Sequence, residues 1–468
     1  MDYSKFEENY YSSTGKFVDF FQKGINTLPF NSTPASLYDK SCGLSGVAGE
    51  FFRKASKSSK SPINNFTKDA ETPVRSFLKD ECSMADASVD DFVEIMRDII
   101  YPDNKFSVIE TAFLKYVPLI DETINKALSK KYMDGQRKIA DYLYSMLKTD
   151  FQVADSDSPN LFSNLIRKSL DQGFSEKSSG TQKEYYALPF ISKGFNEDLS
   201  WLMTDHDDYV IVKYINYLLH FYACFSVTQT IIKMDQDSGI DKPQGLYYIL
   251  VSESASAKKE VVTAGWEKFV KGKLPRLFGR AQAIDIANTL LGGNVGILED
   301  ILTLLAERDF ASDKETCEMV LRRYQEDKRA LLLDRDTVDE MKLGEPIDTS
   351  VSSYKEFLDK LTKLCVELQS TEYARLGGKV TNLMKVKFLQ SRRGNDVLVL
   401  DEEMLVFLIA MFTHEKKTKL DDMYKLFNAH GMYFNIETRN LIEQYLLKSN
   451  LLDRKSDSGE TQYVTVIL

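Results

Sequence analysis

Four consecutive residues, Asp205, His206, Asp207 and Asp208, have the side-chain types of a metal site. An imidazole among carboxylates could hold a divalent cation and, through it, activate water. Adjacent residues cannot all face one ion without a tight turn, however, and this group stands just before a long apolar stretch. Carboxylates placed there cap a helix and complement its dipole, so capping and solvation are the expected role. His220, His414 and His430 lack partners at the spacings that mark zinc or nucleophile chemistry, and neither H-E-x-x-H nor a nucleophile elbow occurs. Leu291-Gly-Gly-Asn-Val-Gly296 is glycine-rich, but it matches neither G-x-x-x-x-G-K-[ST] nor G-x-G-x-x-G, so it reads as a helix stop and tight turn. Pro102-Asp103 opens the pattern of one nuclease class, yet no E-x-K follows on a strand to complete a ligand set. The expectation is a chain without catalytic residues, metal or cofactor. If its pathway spends ATP, another chain hydrolyses it.

The chemistry that remains is electrostatic. Arg375, Lys379, Lys385, Lys387, Arg392 and Arg393 follow one another with no acidic residue between Arg375 and Arg393, and Gly377, Gly378 and Gly394 punctuate the run. Bare backbone and dispersed cations suit phosphate contact. Lys379, Lys385, Lys387, Arg392 and Arg393 are therefore candidate DNA-binding residues. The competing reading is a solvated connector that docks on an acidic partner surface. A second basic stretch, with Arg53, Lys54, Lys57 and Lys60, lies in the Ser-, Lys-, Asn- and Pro-rich region from Arg53 to Ser76 and reads as a solvated loop.

The elements that must position the basic run lie on its C-terminal side. Asp401 can cap a helix whose first turn holds Glu402 and Glu403 and whose apolar stripe is Met404, Leu405, Leu408, Ile409 and Phe412. Thr418 and Asp421 form a capping-box variant for a second helix with Leu420, Met423, Tyr424 and Phe427 inside, and Gly431 suits its left-handed stop. Asn435 can cap a third helix that buries Leu441, Ile442, Tyr445 and Leu446 and ends near Asn450. Ser456 to Gly459 can turn a hairpin before the strand formers Tyr463 to Leu468. Three short helices followed by a hairpin is the order of a winged helix, a docking module for DNA or protein. The exposed face of the third helix, with Glu437, Arg439, Asn440, Glu443, Gln444 and Lys448, is of mixed charge. Arg439, Lys448, Arg454 and Lys455 are secondary candidates for DNA contact.

The chain has 468 residues, 60 Lys and Arg against 70 Asp and Glu, and a formal net charge of −10, so it cannot coat nucleic acid by bulk charge and any DNA contact must be a local patch. Its length allows two or three domains. The five cysteines, Cys42, Cys82, Cys224, Cys317 and Cys365, are dispersed, which argues for free thiols in a reducing compartment. Tyr209 to Met234 is strongly apolar but interrupted by Lys213, Asn216, His220 and Gln229, which fits a buried core helix better than a membrane span. No charged and apolar leader opens the sequence, and a cytoplasmic location without membrane partners is expected. Helical periodicity dominates Val89 to Leu147, Ala281 to Leu305, Glu315 to Leu332 and Tyr354 to Glu372, while Gly245 to Val251 is the most strand-like piece of the middle. The fold class expected is mainly α: a multi-helix body with a small C-terminal winged-helix (α+β) domain. The expected divisions are an N-terminal helical and loop segment (1–75), a helical body with a short strand region near 245–251 (76–372), and a basic connector with the winged helix (373–468).

Two stretches together carry a family resemblance. One is Gly245-Leu-Tyr-Tyr-Ile-Leu-Val-Ser-Glu-Ser-Ala-Ser-Ala-Lys-Lys-Glu260, followed by Gly265 and Trp266. The other is Tyr373-Ala-Arg-Leu-Gly-Gly-Lys379, then Arg392-Arg-Gly394 and Leu400-Asp-Glu-Glu-Met-Leu405. They resemble DptG (DndG) of the bacterial DNA phosphorothioation-dependent restriction systems, over roughly the C-terminal half. The resemblance implies a subunit without ATPase or nuclease motifs that acts with DptF-like and DptH-like ATPase or translocase partners on double-stranded DNA, in defence against DNA lacking backbone sulfur. Glu253 and Lys258 are the polar members of the first stretch, and structural placement of the strand is their expected role. The rivals are a winged-helix adaptor that contacts protein alone in another DNA-acting ATPase complex, and a metal-dependent nuclease centred on Asp205 and Asp207.

Overall fold

The computed structural model of the chain describes residues 1–18, 26–30, 44–56, 63, 65–119, 126–147, 160–172, 185–253, 264–334, 343–369, 375–454 and 462–468. The architecture is mainly helical, and strands occur only as short pieces. One continuous apolar core draws side chains from Phe6 through Val466, and hence from all three expected segments. A smaller core gathers Phe66, Val74, Leu78, Val93, Met96, Phe113 and Ile166.

The helix Asp208–Lys233 runs through the main core, and every residue from Phe221 to Lys233 is buried. Among the described residues it is the one helix long and apolar enough to cross a membrane, and 72% of its most apolar stretch is buried within the protein, as in a core helix. Two of its buried polar side chains near the C-terminal end are paired internally. Gln229 accepts from the Gln244 N–H at 2.7 Å and donates to the Gln244 carbonyl at 3.0 Å, and Lys233 Nζ donates to the Gly239 carbonyl at 2.7 Å.

The Arg53–Ser76 region departs from the expected loop. Ser45–Ala55 and Thr72–Asp80 are helices. Arg53 is buried, donating to the Lys115 and Val117 carbonyls at 2.8 and 2.9 Å and pairing with Glu50. Lys54 pairs with Asp141 at 2.6 Å. Polar composition suggested solvent, but these cations have partners supplied from distant sequence. Lys57 and Lys60 lie outside the described residues.

The strand-like piece of the middle splits into β1 (Leu246–Tyr247) and β2 (Ile249–Leu250). Downstream, the helix Arg375–Lys385 leads into β3 (Leu389–Arg392) and β4 (Asn395–Leu400). Then follow the helix Glu402–Thr413, β5 (Thr418–Lys419), the helix Leu420–Ala429, β6 (Met432–Tyr433), the helix Ile436–Lys448, β7 (Leu452–Arg454) and β8 (Gln462–Val464). β2 pairs parallel with β4, whose other edge takes β3 antiparallel, and β1 pairs parallel with β6. β8 lies between β5 and β7, antiparallel to both. Asp401 caps its helix by accepting the Met404 N–H at 2.7 Å, Asn435 accepts from Thr438 N–H at 2.8 Å, and Gly431 takes φ +70°. Thr418 does not cap the second helix. It pairs with Val464 as part of β5, a use that suits a β-branched residue.

His220 on the central helix is half-buried, and its Nε2 is buried without a partner. Burial, with the nearby Lys387 charge, pushes its pKa down to about 4. The folded state therefore binds fewer protons than the unfolded state. The stabilisation is complete above the ordinary imidazole value of 6.5 and is lost as pH falls toward about 4. Urea denaturation of the protein should show stability falling over that window, and His220→Leu should lose about 3 kcal/mol less across it. Equal losses in the two proteins would contradict this assignment.

Candidate docking and nucleic-acid interface

The basic run is a helix followed by a hairpin, and this geometry engages most of its charge. Lys379 is buried, and burial together with Lys138 lowers its pKa to about 8. Lys385 lies 3.6 Å from Asp396. Lys387 pairs with Asp401 at 2.8 Å and sits over the Tyr217 ring at 4.8 Å. Arg392 donates to the Val251 and Glu253 carbonyls, both at 2.7 Å, and to Gln390 Oε1 at 3.0 Å. Arg393, with φ 47° at the β3–β4 turn beside Gly394, is exposed and has no ion-pair or hydrogen-bond partner among the described residues.

The two stretches that carry the resemblance meet here. Ile249 and Leu250 stand opposite Val399 and Leu400, and Arg392 clamps the turn that follows β2. The Glu253 carboxylate accepts from the buried Thr438 hydroxyl at 2.9 Å, which ties the same turn to the third helix of the tail. Lys258 lies outside the described residues.

On that third helix Arg439 is half-buried over the Tyr424 ring at 4.6 Å, whereas Lys448 is exposed and makes no ion pair among the described residues. Ile436, in its first turn, is 78% exposed. Arg454 stands opposite Gln462 in the β7–β8 register, and Lys455 lies outside the described residues.

Sequence reasoning passed over a further cationic loop. Lys416, Lys417 and Lys419 are exposed around β5. Lys417 reaches Asp453 at 2.6 Å across the Tyr463 ring, and Lys419 is in register with Tyr463. Glu415 dilutes this cluster in the sequence. In the structure Glu415 instead contacts His206 Nε2 at 3.3 Å, which leaves the lysines on the surface. Its backbone (φ 57°) and that of His414 (φ 47°) are both left-handed, and this places the two side chains on the body. His414 stacks on Trp201 and lies 3.4 Å from Asp198.

The acidic quartet diverges. Asp207 accepts the Val210 N–H at 3.0 Å as a helix cap, and Asp208 accepts the Thr111 N–H at 2.9 Å. Asp205 takes the Thr204 hydroxyl at 3.0 Å, while His206 packs edge-on against Trp201. Among the described residues no three His, Cys, Asp or Glu side chains converge as metal ligands would.

No protein-family model matches this chain, and no curated protein matches it in sequence. The likeness to DptG rests on the two stretches themselves.

Gly377 and Gly378 test whether the run offers bare backbone to a ligand or packs as a helix. A Cβ on Gly377 would lie 2.7 Å from Leu274 Cβ, whereas one on Gly378 would meet nothing within 4 Å. Gly377→Ala should therefore destabilise by about 1–2 kcal/mol. Gly378→Ala should stabilise by up to about 1 kcal/mol, because alanine favours the helix. Chemical denaturation of both variants measures this. Unchanged stability in both, with equal loss of DNA affinity, would favour the phosphate-cradle reading.

Proposed function

We propose that this chain is a non-catalytic, cytoplasmic subunit of a bacterial phosphorothioation-dependent DNA restriction complex, in which it docks ATPase or translocase partners and contacts DNA. Its tail is read as a winged helix. The observation that carries this reading is the order helix, β5, helix, β6, helix, β7, β8, with β8 between β5 and β7. The resemblance to DptG supplies the pathway. DNA contact falls to the cations that remain available, Arg393, Lys416, Lys419 and Lys448, while Lys385 is paired within the connector and Lys387 and Arg392 hold it to the body.

A second reading, a winged-helix adaptor that touches protein alone, is favoured by the internal pairing of the connector cations and by the exposed Ile436. Fluorescence anisotropy of duplex DNA titrated with the full chain at rising salt separates the two. The first reading predicts a log–log salt slope between about −2 and −4, reduced by about 1 in Arg393→Glu. Affinity that is absent, or insensitive to salt, would leave the adaptor.

A further inference from the structure

Where the tail meets the body, a half-open groove of about 540 Å³ separates the helices Pro189–Thr204 and Asp208–Lys233 from the end of Leu420–Ala429. Phe190, Tyr222, Phe225 and Tyr433 give it aromatic walls. Tyr222, His430 and Asp241 present acceptors to it, while Lys242, the Asn428 amide and the Tyr433 hydroxyl can donate. Tyr222 spends its hydroxyl hydrogen on Asp198, so only oxygen lone pairs remain for a ligand. His430 Nδ1 lies 2.8 Å from the Leu426 carbonyl, which can only accept, so Nδ1 carries the ring hydrogen. Burial keeps that ring neutral near pH 7, which leaves a lone pair on Nε2. The exposed Asp241 carboxylate stands at the rim, and the Asn428 amide can accept or donate. Behind Tyr222 the Asp198 carboxylate is itself buried, which adds a negative field at the floor. Lys242, exposed at the rim, is the one cation in the lining.

We propose that this groove receives an arginine side chain from a partner protein. A guanidinium is planar, carries five N–H donors and no acceptor, keeps its charge, and stacks on aromatic faces. Each property has its complement in the lining. A nucleotide would bring negative charge to the lone pairs of Tyr222 and His430 and to two carboxylates. An ammonium would neither stack nor bridge several acceptors in one plane. The inference rests on the docking reading above and names the chemistry by which docking is recognised.

The test uses the full chain and the peptide acetyl-Gly-Arg-Gly-amide, with a citrulline counterpart of the same shape and no charge, followed by saturation-transfer NMR and calorimetry. The arginine peptide is expected to bind at least tenfold more tightly than the citrulline peptide. Asp241→Lys, at an exposed position, should weaken it at least fivefold, while Asp91→Lys on another helix should leave it unchanged. Equal binding of the two peptides, binding of neither, or displacement by AMP at lower concentration would overturn the proposal. If the peptide fails while the chain still assembles with its ATPase partners, the groove assignment falls and the docking reading stands.

Discussion

The parallel pairing of Leu246–Leu250 with strands far downstream is the constraint on which the tail's position depends. β1 takes β6 and β2 takes β4, so one short extended segment holds both the hairpin end of the basic run and the tail helices against the body. The pairing alone is small. It is reinforced by Arg392, whose guanidinium satisfies two carbonyls of the turn after β2, and by Glu253, which bonds the buried Thr438 hydroxyl. Hydrogen bonds to charged groups are worth more than neutral ones, and a buried polar atom left without its partner is costly. The join therefore has a defined register, and the module is presented in one orientation.

That join has an electrostatic consequence. A cation engaged with a carbonyl or carboxylate of its own chain is poorly placed to neutralise a phosphate. Lys385, Lys387 and Arg392 are engaged in this way, and Lys379 is buried. Charge counted along a sequence therefore overstates the charge offered to a partner. The reverse holds around β5, where the inward turn of Glu415 toward His206 leaves Lys416 and Lys419 as a more cationic surface than their sequence neighbourhood suggests.

Features governed by local chemistry were legible from sequence: the Asp401 and Asn435 caps, the Gly431 stop, and the core character of the helix around Cys224. Features decided by distant residues were not. Thr418 had the spacing of a cap but found a better partner in Val464. Arg53 looked solvated because the carbonyls that hold it belong to residues 115 and 117. Gly377 looked like bare backbone because nothing in its neighbourhood announces Leu274 against it. The resemblance segments were seen as two separate stretches, and their contact through Arg392 is a tertiary fact that no spacing rule reports. The groove lined by Tyr222 and His430 was equally hidden, since its walls come from four separate parts of the chain.

The central claim is that this chain binds and positions while other chains do the energy-consuming work. Native mass spectrometry of the full chain co-expressed with DptF-like and DptH-like subunits, with ATP hydrolysis and DNA cleavage followed on the same samples, tests it most directly. The account predicts a stable complex that contains this chain, with both activities absent from the chain alone. A chain that stays alone in the presence of those subunits, or that by itself cleaves DNA or hydrolyses ATP, would contradict it.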